Sequence, residues 1–205
     1  RQGAGLFGQG GQGGGVWIII KTRIKGKQGK MKSFLWELLQ TVFFALLIYM
    51  VMRTVTQTMW VDLTSMEPNF HPGQYLVINK IAYAWGEPQR GDVIILRYPR
   101  DPSREFIKRV IARPGETVEI KNGVTYVNGS PLEEPYIRYR PTRDYSAKTL
   151  SPNHYFVMGD NRPVSIDSRD FGELPRANIV GKAWVSLWPI SSLGLVPSFS
   201  YAATK

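Results

Sequence analysis

The longest apolar stretch of the chain covers residues 34–52, and its only polar side chains are Glu37, Gln40 and Thr41. A helix of this length is about 30 Å long, which matches the hydrocarbon layer of a membrane. Glu37 lies one turn from the N-terminal end, where a carboxylate can reach the membrane interface, so a buried helix of a soluble domain is the less favoured alternative. The pattern predicts a transmembrane helix over residues 34–53.

Charged residues are distributed unevenly around this helix. Residues 1–33 carry seven basic side chains and no acidic one, whereas Arg53 is the only charge directly after the helix. The positive-inside rule therefore predicts a cytoplasmic N-terminus and an exported domain over residues 54–205. A cleaved signal peptide is less favoured, because it has a shorter apolar region and a small-residue cleavage site. Gly and Gln dominate residues 1–15, so residues 1–33 are expected to form a flexible, basic cytoplasmic arm.

From about residue 55 onward, the pattern changes to short runs of β-branched and aromatic residues, which is typical of strands. Turn-forming residues separate the runs, and Asn122-Gly123 between two of them is a strong hairpin signal. No helical periodicity of useful length follows residue 52. We therefore predict a mostly β domain built on an antiparallel sheet. The runs are residues 75–79, 92–98, 105–112, 117–120 and 124–127.

Composition narrows the possible classes of function. Hydrophobic residues make up 43% of the chain, enough for a folded core, so a wholly disordered protein does not fit. The net charge of +10 comes mainly from residues 1–33, and the remaining 19 basic and 16 acidic side chains nearly cancel, which disfavours a nucleic-acid partner. Cysteine is absent, which rules out disulfides and a cysteine nucleophile. His71 and His154, the only histidines, are interpreted as turn and loop residues rather than as members of a catalytic triad.

Four short sequences in the predicted β domain carry candidate chemistry. Taken singly, each has a structural interpretation, because a lone serine or lysine is far more often structural than catalytic. Together and in this order, they resemble type I signal peptidases over roughly residues 31–190. The four are Ser65-Met66-Glu67-Pro68, Arg90-Gly91-Asp92, Phe106-Ile107-Lys108-Arg109 leading to Arg113-Pro114-Gly115, and Gly159-Asp160-Asn161-Arg162 continuing to Ser165, Asp167 and Arg169.

The resemblance implies a mostly β fold, an antiparallel β-sheet protease domain that follows one N-terminal transmembrane helix. It implies that Ser65 is the nucleophile and that Lys108 is the general base of a Ser-Lys dyad. It also implies that Ser165 hydrogen-bonds the lysine amine, and that Asp167 and Arg169 brace the site by ion pairing. The family uses no metal, nucleotide or organic cofactor, so none is expected here.

These residue types fit the proposed chemistry. A serine hydroxyl is a poor nucleophile until a neighbouring base takes its proton, and no histidine falls in a matching motif. A free lysine has a pKa of about 10.4, so the amine must be buried among apolar side chains to be neutral near pH 7. Strand alternation places Phe106, Lys108 and Val110 on one inward face, with Ile107 and Arg109 on the other.

The resemblance also implies the substrate and the location. The expected substrates are the signal peptides of exported preproteins, cut after small-x-small motifs at the outer side of the bacterial cytoplasmic membrane. Expected partners are membrane lipid and the nearby protein-export translocon, and no nucleic acid. Ser65 follows the helix by about a dozen residues, so Met59, Trp60 and Trp85 are candidates to enter the membrane–water interface.

One departure from the family pattern affects the oxyanion site. The family usually has Ser or Gly two residues before the nucleophile, and here that residue is Leu63. The expected donors to a developing oxyanion are therefore the Ser65 backbone N–H and, as a substitute hydroxyl, Thr64. The segment between the lysine strand and the last motif is short, so the large accessory β domain of some relatives is not expected.

Two other functions fit parts of the sequence. A repressor-type self-cleaving Ser-Lys protease has a similar fold, but it normally carries a DNA-binding helix-turn-helix in place of a membrane span. A non-enzymatic, membrane-tethered β domain whose basic arm binds anionic lipid is the other alternative. Cleavage of a leader peptide, and its loss in Ser65→Ala, distinguishes the signal peptidase from both.

Overall fold

The computed structural model describes residues 14–199 and residue 201, with side chains described from residue 31 onward. Two compact units, Arg1–Val51 and Met52–Lys205, make up the chain. The first contains most of one long helix, and the second contains the strands.

The long helix, α1 (Gly14–Val55), begins earlier than the sequence predicted. Its part from Met31 to Val55 has a mean hydropathy of 1.9, carries exposed side chains, and is long and apolar enough to cross a membrane. The Thr41 hydroxyl donates to the Glu37 carbonyl, which satisfies a polar group inside the apolar segment.

The predicted flexible arm is described only in part. Residues 1–13 lie outside the described residues, whereas residues 14–33 are helical. No proline interrupts the chain between Gly14 and Val55, so the helix can continue from the apolar part back through the basic segment.

The second unit is formed by short strands and one further α-helix, α2 (Ser168–Phe171). In chain order, the strands are β1 (Thr56–Trp60), β2 (Tyr75–Asn79), β3 (Val93–Tyr98), β4 (Asp101–Ala112), β5 (Thr117–Lys121), β6 (Val124–Val127), β7 (Ser130–Pro131), β8 (Tyr145–Thr149), β9 (His154–Met158), β10 (Leu174–Pro175), β11 (Ile179–Trp188) and β12 (Gly194–Leu195).

These strands form two antiparallel sheets. The large sheet has the order β1-β2-β11-β3-β4-β9-β10, with β12 paired to β11, and the small sheet has the order β7-β6-β5-β8. The β5–β6 hairpin turns at Asn122 and Gly123, which both have positive φ, as a type I′ turn requires. The predicted fold class, mostly β with antiparallel sheets after an N-terminal apolar helix, is confirmed.

Strand β4 lies inside the large sheet, and from Phe106 onward it is buried on both faces. Phe106 and Val110 pack into one hydrophobic cluster with residues of β3 and β9. Ile107 packs into another cluster, which contains Met66. The strand alternation is as predicted, but the face that carries Ile107 is also inward, because the segment around Met66 covers it.

Candidate active site

Ser65 lies in a single 3-10 turn, Thr64–Met66, that follows β1. The side chain of Met66 anchors the turn, because it is fully buried in the core. The Asn161 backbone N–H donates to the Ser65 carbonyl at 3.0 Å, and the Asn161 side-chain amide donates to the Thr64 carbonyl at 3.1 Å. The segment that contains Asn161 therefore fixes the backbone on which the Ser65 hydroxyl is carried.

The amine of Lys108 lies against this hydroxyl. Lys108 Nζ is 2.8 Å from Ser65 Oγ and 2.9 Å from the Ile107 carbonyl oxygen, and the lysine is only 2% exposed. The Phe106 ring lies 5.3 Å from Nζ and supplies part of the apolar surroundings. The structure thus brings together the two residues that the motifs singled out, although they are 43 residues apart.

Burial lowers the pKa of Lys108 from its usual value to about 8. Asp167 and Asp160 oppose this shift by raising the pKa, and Arg169 adds to the lowering. None of the ion pairs among the described residues involves Lys108. A hydroxyl held against an unpaired, buried amine is an arrangement in which the amine can accept the hydroxyl proton.

Arg109, the next residue of β4, is buried and paired. Its Nε and Nη2 atoms donate to the two carboxylate oxygens of Asp160 at 2.8 and 2.7 Å. The Tyr136 ring stacks on the guanidinium, with Cζ 4.3 Å from the ring centroid. Asp160 of this bidentate pair directly precedes Asn161 in the chain, so the pair supports the segment that holds Ser65.

Asp167 and Arg169 form a second buried pair. Arg169 donates to both oxygens of Asp167 at 2.8 Å, and it also donates to the Arg162 carbonyl. Asp167 is in addition the N-cap of α2, where its side chain and that of Asp170 form a capping box. Because Asp167 also accepts from the Gly159 N–H, the start of α2 is tied to the segment that contains Asn161.

The hydrogen bond expected from the Ser165 hydroxyl to the lysine amine is not formed. Ser165 is buried, but its Oγ has no hydrogen-bond partner, because the contacts of Lys108 Nζ go to Ser65 and Ile107. The Ser165 side chain instead packs against Gly159, where a Cβ would overlap both the Ser165 hydroxyl and the Ser65 carbonyl oxygen. The expectation for this contact is therefore wrong.

A cleft of about 330 Å³ opens beside Ser65 and Lys108. Leu63 lies on its wall with 55% of its surface exposed, and the Thr64 side chain is also exposed. Among the described residues, nothing accepts from the Ser65 N–H. The cleft is lined by Met59, Trp60, Val61, Asp62, Leu63, Ser65, Arg104, Glu105, Phe106, Ile107 and Lys108.

Sequence reasoning missed how the other buried charges are partnered. It paired Arg169 with Asp167, as the structure does, but it did not identify the pairs of Arg162 with Glu134 and of Arg109 with Asp160. Arg109 follows Lys108 on the opposite face of the strand, but nothing in its sequence position indicates a buried ion pair. Within the described part of the chain, no group of three or more His, Cys, Asp or Glu could hold a metal ion.

Comparisons with known proteins find relatives along most of the chain. A family model described as "Signal peptidase, peptidase S26" matches residues 35–188. A signal peptidase I of Leptolyngbya laminosa is 36% identical and aligns over 85% of this chain and 90% of its own. A probable signal peptidase I-1 of Synechocystis is 37% identical, over 84% and 92%. A crystal structure of a signal peptidase I from Enterococcus faecalis, 36% identical, covers 47% of this chain and 96% of that chain with a TM-score of 0.43.

Proposed function

The chain belongs to the peptidase S26 signal peptidase family, a family of serine protease hydrolases, and from this premise we propose that Ser65 and Lys108 form its catalytic dyad. The substrates are exported preproteins, whose N-terminal signal peptides are removed after small-x-small motifs. The observation that carries the proposal is the 2.8 Å contact between Lys108 Nζ and Ser65 Oγ at the side of an open cleft.

The reaction begins with proton transfer from serine to lysine. The neutral Lys108 amine accepts the Ser65 proton as Oγ bonds to the scissile carbonyl carbon, and the carbonyl oxygen becomes an oxyanion. When the tetrahedral intermediate collapses, the C–N bond breaks and the lysine ammonium gives its proton to the leaving amine of the mature protein. A water then transfers its proton to Lys108 and attacks the ester, which releases the signal peptide and returns a proton to Ser65 Oγ.

The lowered pKa of Lys108 makes this chemistry feasible near neutral pH. With a pKa of about 8, about one tenth of the amine is neutral at pH 7. A free lysine, with a pKa of about 10.4, has only about 0.04% of its amine neutral at the same pH. Burial therefore raises the concentration of the active base by more than about two orders of magnitude.

Three residues of the last motif support the dyad without contacting it directly. The Asp167–Arg169 pair holds the start of α2, and Asp167 also binds the Gly159 N–H. Ser165 packs against Gly159 beside the Ser65 carbonyl oxygen. Their shared role is to fix the backbone that carries Asn161 and, through it, Ser65.

Two donors serve the oxyanion in this proposal. The Ser65 N–H is free of any acceptor among the described residues, so it is available to a substrate oxygen. The hydroxyl of Thr64 replaces the group that Leu63 lacks, since Thr64 immediately precedes Ser65 in the turn. Preorganised donors of this kind stabilise the charge that develops in the transition state.

The apolar part of α1 anchors the protein in the bacterial cytoplasmic membrane, with residues 1–33 in the cytoplasm and residues 54–205 on the outer side. The one-sided distribution of basic residues supports this orientation. Trp60, half exposed on the cleft wall, and Trp85, 89% exposed, are suited to the membrane–water interface, where signal peptides and the translocon are found.

A leader-peptide assay tests the proposed function. The detergent-solubilised full chain should cut the peptide directly after its small-x-small motif, as the product masses will show, and Ser65→Ala should not. Ser186→Ala is a matched control, because Ser186 is a buried serine whose hydroxyl contacts only Ser192 among the described residues. Cleavage by Ser65→Ala would remove Ser65 from the mechanism.

Protease protection tests the orientation. A protease added outside spheroplasts should digest residues 54–205 and spare residues 1–33. The opposite pattern would contradict the assigned topology.

A further inference from the structure

The segment after β12 returns to cover the buried Arg109–Asp160 pair. This segment, residues 197–199 and residue 201, is called the strap here. The Phe199 ring lies 5.0 Å from the Tyr136 ring, and the Arg109 guanidinium lies against both rings, 5.1 Å from the Phe199 centroid and 4.3 Å from that of Tyr136. The strap therefore supplies one of the two aromatic rings that contact this guanidinium.

Further contacts of Tyr201 and Phe199 fix the strap in place. The Tyr201 hydroxyl donates to the Glu133 carbonyl at 2.8 Å and lies 3.0 Å from the Tyr136 hydroxyl. The backbone of Phe199 lies directly on Gly91, which has a φ of +92° and at which any Cβ would overlap the Phe199 carbonyl oxygen. Glycine at position 91 is thus required for this close approach.

A short series of contacts connects the strap to the dyad. Arg109 donates from Nη1 to the Gly91 carbonyl at 2.8 Å and binds both oxygens of Asp160. Asp160 directly precedes Asn161, whose N–H donates to the Ser65 carbonyl. Arg109 directly follows Lys108 in β4. In the pair beneath the strap, Arg109 is therefore adjacent to Lys108 in the chain, and Asp160 is adjacent to Asn161, which is hydrogen-bonded to Ser65.

The rings also determine the environment of the pair. Arg109 and Asp160 are both fully buried, and an ion pair shielded from water is stronger and more sharply oriented than an exposed one. Removal of the Phe199 ring exposes one side of the guanidinium to water. The geometry of the Arg109–Asp160 pair, and the position of Asn161 with it, then become less strictly defined.

We propose that the strap is a positioning element for the dyad, in which Phe199, stacked on Arg109, holds the Arg109–Asp160 pair and thereby Asn161 and Ser65 in their reactive arrangement. The inference rests on the proposed function for its activity readout. The strap's contacts with Gly91, Arg109 and Tyr136 all lie outside the residues that line the cleft. Its loss should therefore affect the chemical step and leave substrate binding unchanged.

The first test compares two aromatic deletions in the detergent-solubilised full chain. Phe199→Ala should lower kcat on a leader peptide about 10-fold with KM unchanged, because small displacements of reacting groups are costly. Tyr145→Ala is the matched control, since the Tyr145 ring also lies 5.0 Å from another aromatic ring, that of Phe156, but belongs to strand β8 of the small sheet. Tyr145→Ala and the ring-retaining Phe199→Tyr should both keep the wild-type kcat.

The second test needs no turnover. Hydrogen exchange of a peptide spanning residues 159–162 should be about 10-fold faster in Phe199→Ala than in the wild type, and unchanged in Tyr145→Ala. Unchanged exchange in Phe199→Ala, or equal changes in the two alanine variants in either test, would overturn the strap's role. If the wild type does not cleave the peptide, the proposed function fails, and hydrogen exchange still decides the strap.

Discussion

Two adjacent cations of β4 are almost completely buried on opposite faces of the strand, and the protein treats them in opposite ways. Arg109 faces Asp160 and forms a bidentate pair with it, so its charge is compensated. Lys108 faces Ser65, has no ion-pair partner among the described residues, and has its pKa lowered to about 8. The difference indicates that a paired buried cation serves as an anchor, whereas an unpaired one is poised to lose its proton and act as a base.

The residue types follow this division. A guanidinium stays charged in proteins and presents a planar fork that matches a carboxylate, so arginine suits the anchoring face. An ammonium can lose its proton when it is buried, so lysine suits the face with the hydroxyl. Loss of Arg109 should therefore lower the stability of the fold, whereas loss of Lys108 should abolish activity and raise stability.

The largest expected effect concerns activity on the Lys108 face. Lys108→Met should lower kcat/KM on a leader peptide by about 10⁴-fold or more, because Ser65 then has no base. Lys108→Arg should be equally inactive, and adding Ser65→Ala should cost little more, since nucleophile and base act as one unit. Lys80→Met, at an exposed lysine, is the control. Turnover retained in purified Lys108→Met would contradict the dyad.

On the Arg109 face, the largest effect should be on stability. Arg109→Met leaves the Asp160 carboxylate buried without its cation and should lower the free energy of unfolding by about 3–5 kcal/mol. Adding Asp160→Asn should recover part of this loss, because the charge is removed while Asn69 can still contact the side chain. Urea unfolding measures both variants. A loss below about 1 kcal/mol would show that the pair is not an anchor.

Sequence pattern was sufficient to predict most of the fold. Alternation and turn residues predicted the antiparallel strands, and Asn122-Gly123 marked a hairpin that the structure contains. The long helix was predicted from its apolar part alone, so its start was placed at residue 34 rather than at Gly14. The basic segment contains several glycines and β-branched residues, so helix propensity did not indicate this earlier start.

The site was predictable in its members but not in its contacts. The motifs identified Ser65 and Lys108 as candidates, and the fold places Lys108 Nζ 2.8 Å from Ser65 Oγ. The Ser165 contact was wrong because a motif gives a residue's position in the chain and not the direction of its hydroxyl. The pairing of Arg109 with Asp160 was missed because the partners are 51 residues apart, and a strand arginine has no sequence feature that distinguishes a buried ion pair from an exposed side chain.

Substitution of Lys108 should change stability in the direction opposite to substitution of Arg109. Lys108→Met should raise the free energy of unfolding at about pH 7 by roughly 3 kcal/mol, because it removes the cost of burying an ammonium. The folded pKa of about 8 lies below the unfolded value of about 10.4, so the unfolded state binds more protons between these values. The stability of the wild type should therefore rise with pH across this window.

The gain in the free energy of unfolding from Lys108→Met is therefore full below about pH 8 and disappears at about pH 10.5. Urea unfolding across this range measures it. An advantage that does not change with pH would mean that the lysine is not destabilised by its charge.

The smallest expected effect is at the oxyanion site beside the Lys108 face. Thr64→Val should lower kcat about 10²-fold with little change in KM, because the donated hydrogen bond forms mainly in the transition state. Leu63→Ser should partly restore kcat in the Thr64→Val protein, since it supplies the hydroxyl usual in the family. An unchanged kcat in Thr64→Val would leave the Ser65 N–H as the only donor assigned to the oxyanion.

The pKa of Lys108 itself tests the central claim most directly. In the full chain with ¹³C-labelled lysine, the Cε resonance that is missing in Lys108→Met belongs to Lys108, and its shift can be followed by NMR against pH. Because the amine is buried, we expect its titration midpoint at about pH 8, and kcat/KM should rise with pH through the same midpoint. A midpoint at about 10 or above, the range of an ordinary exposed lysine, would contradict the assignment of Lys108 as a neutral base.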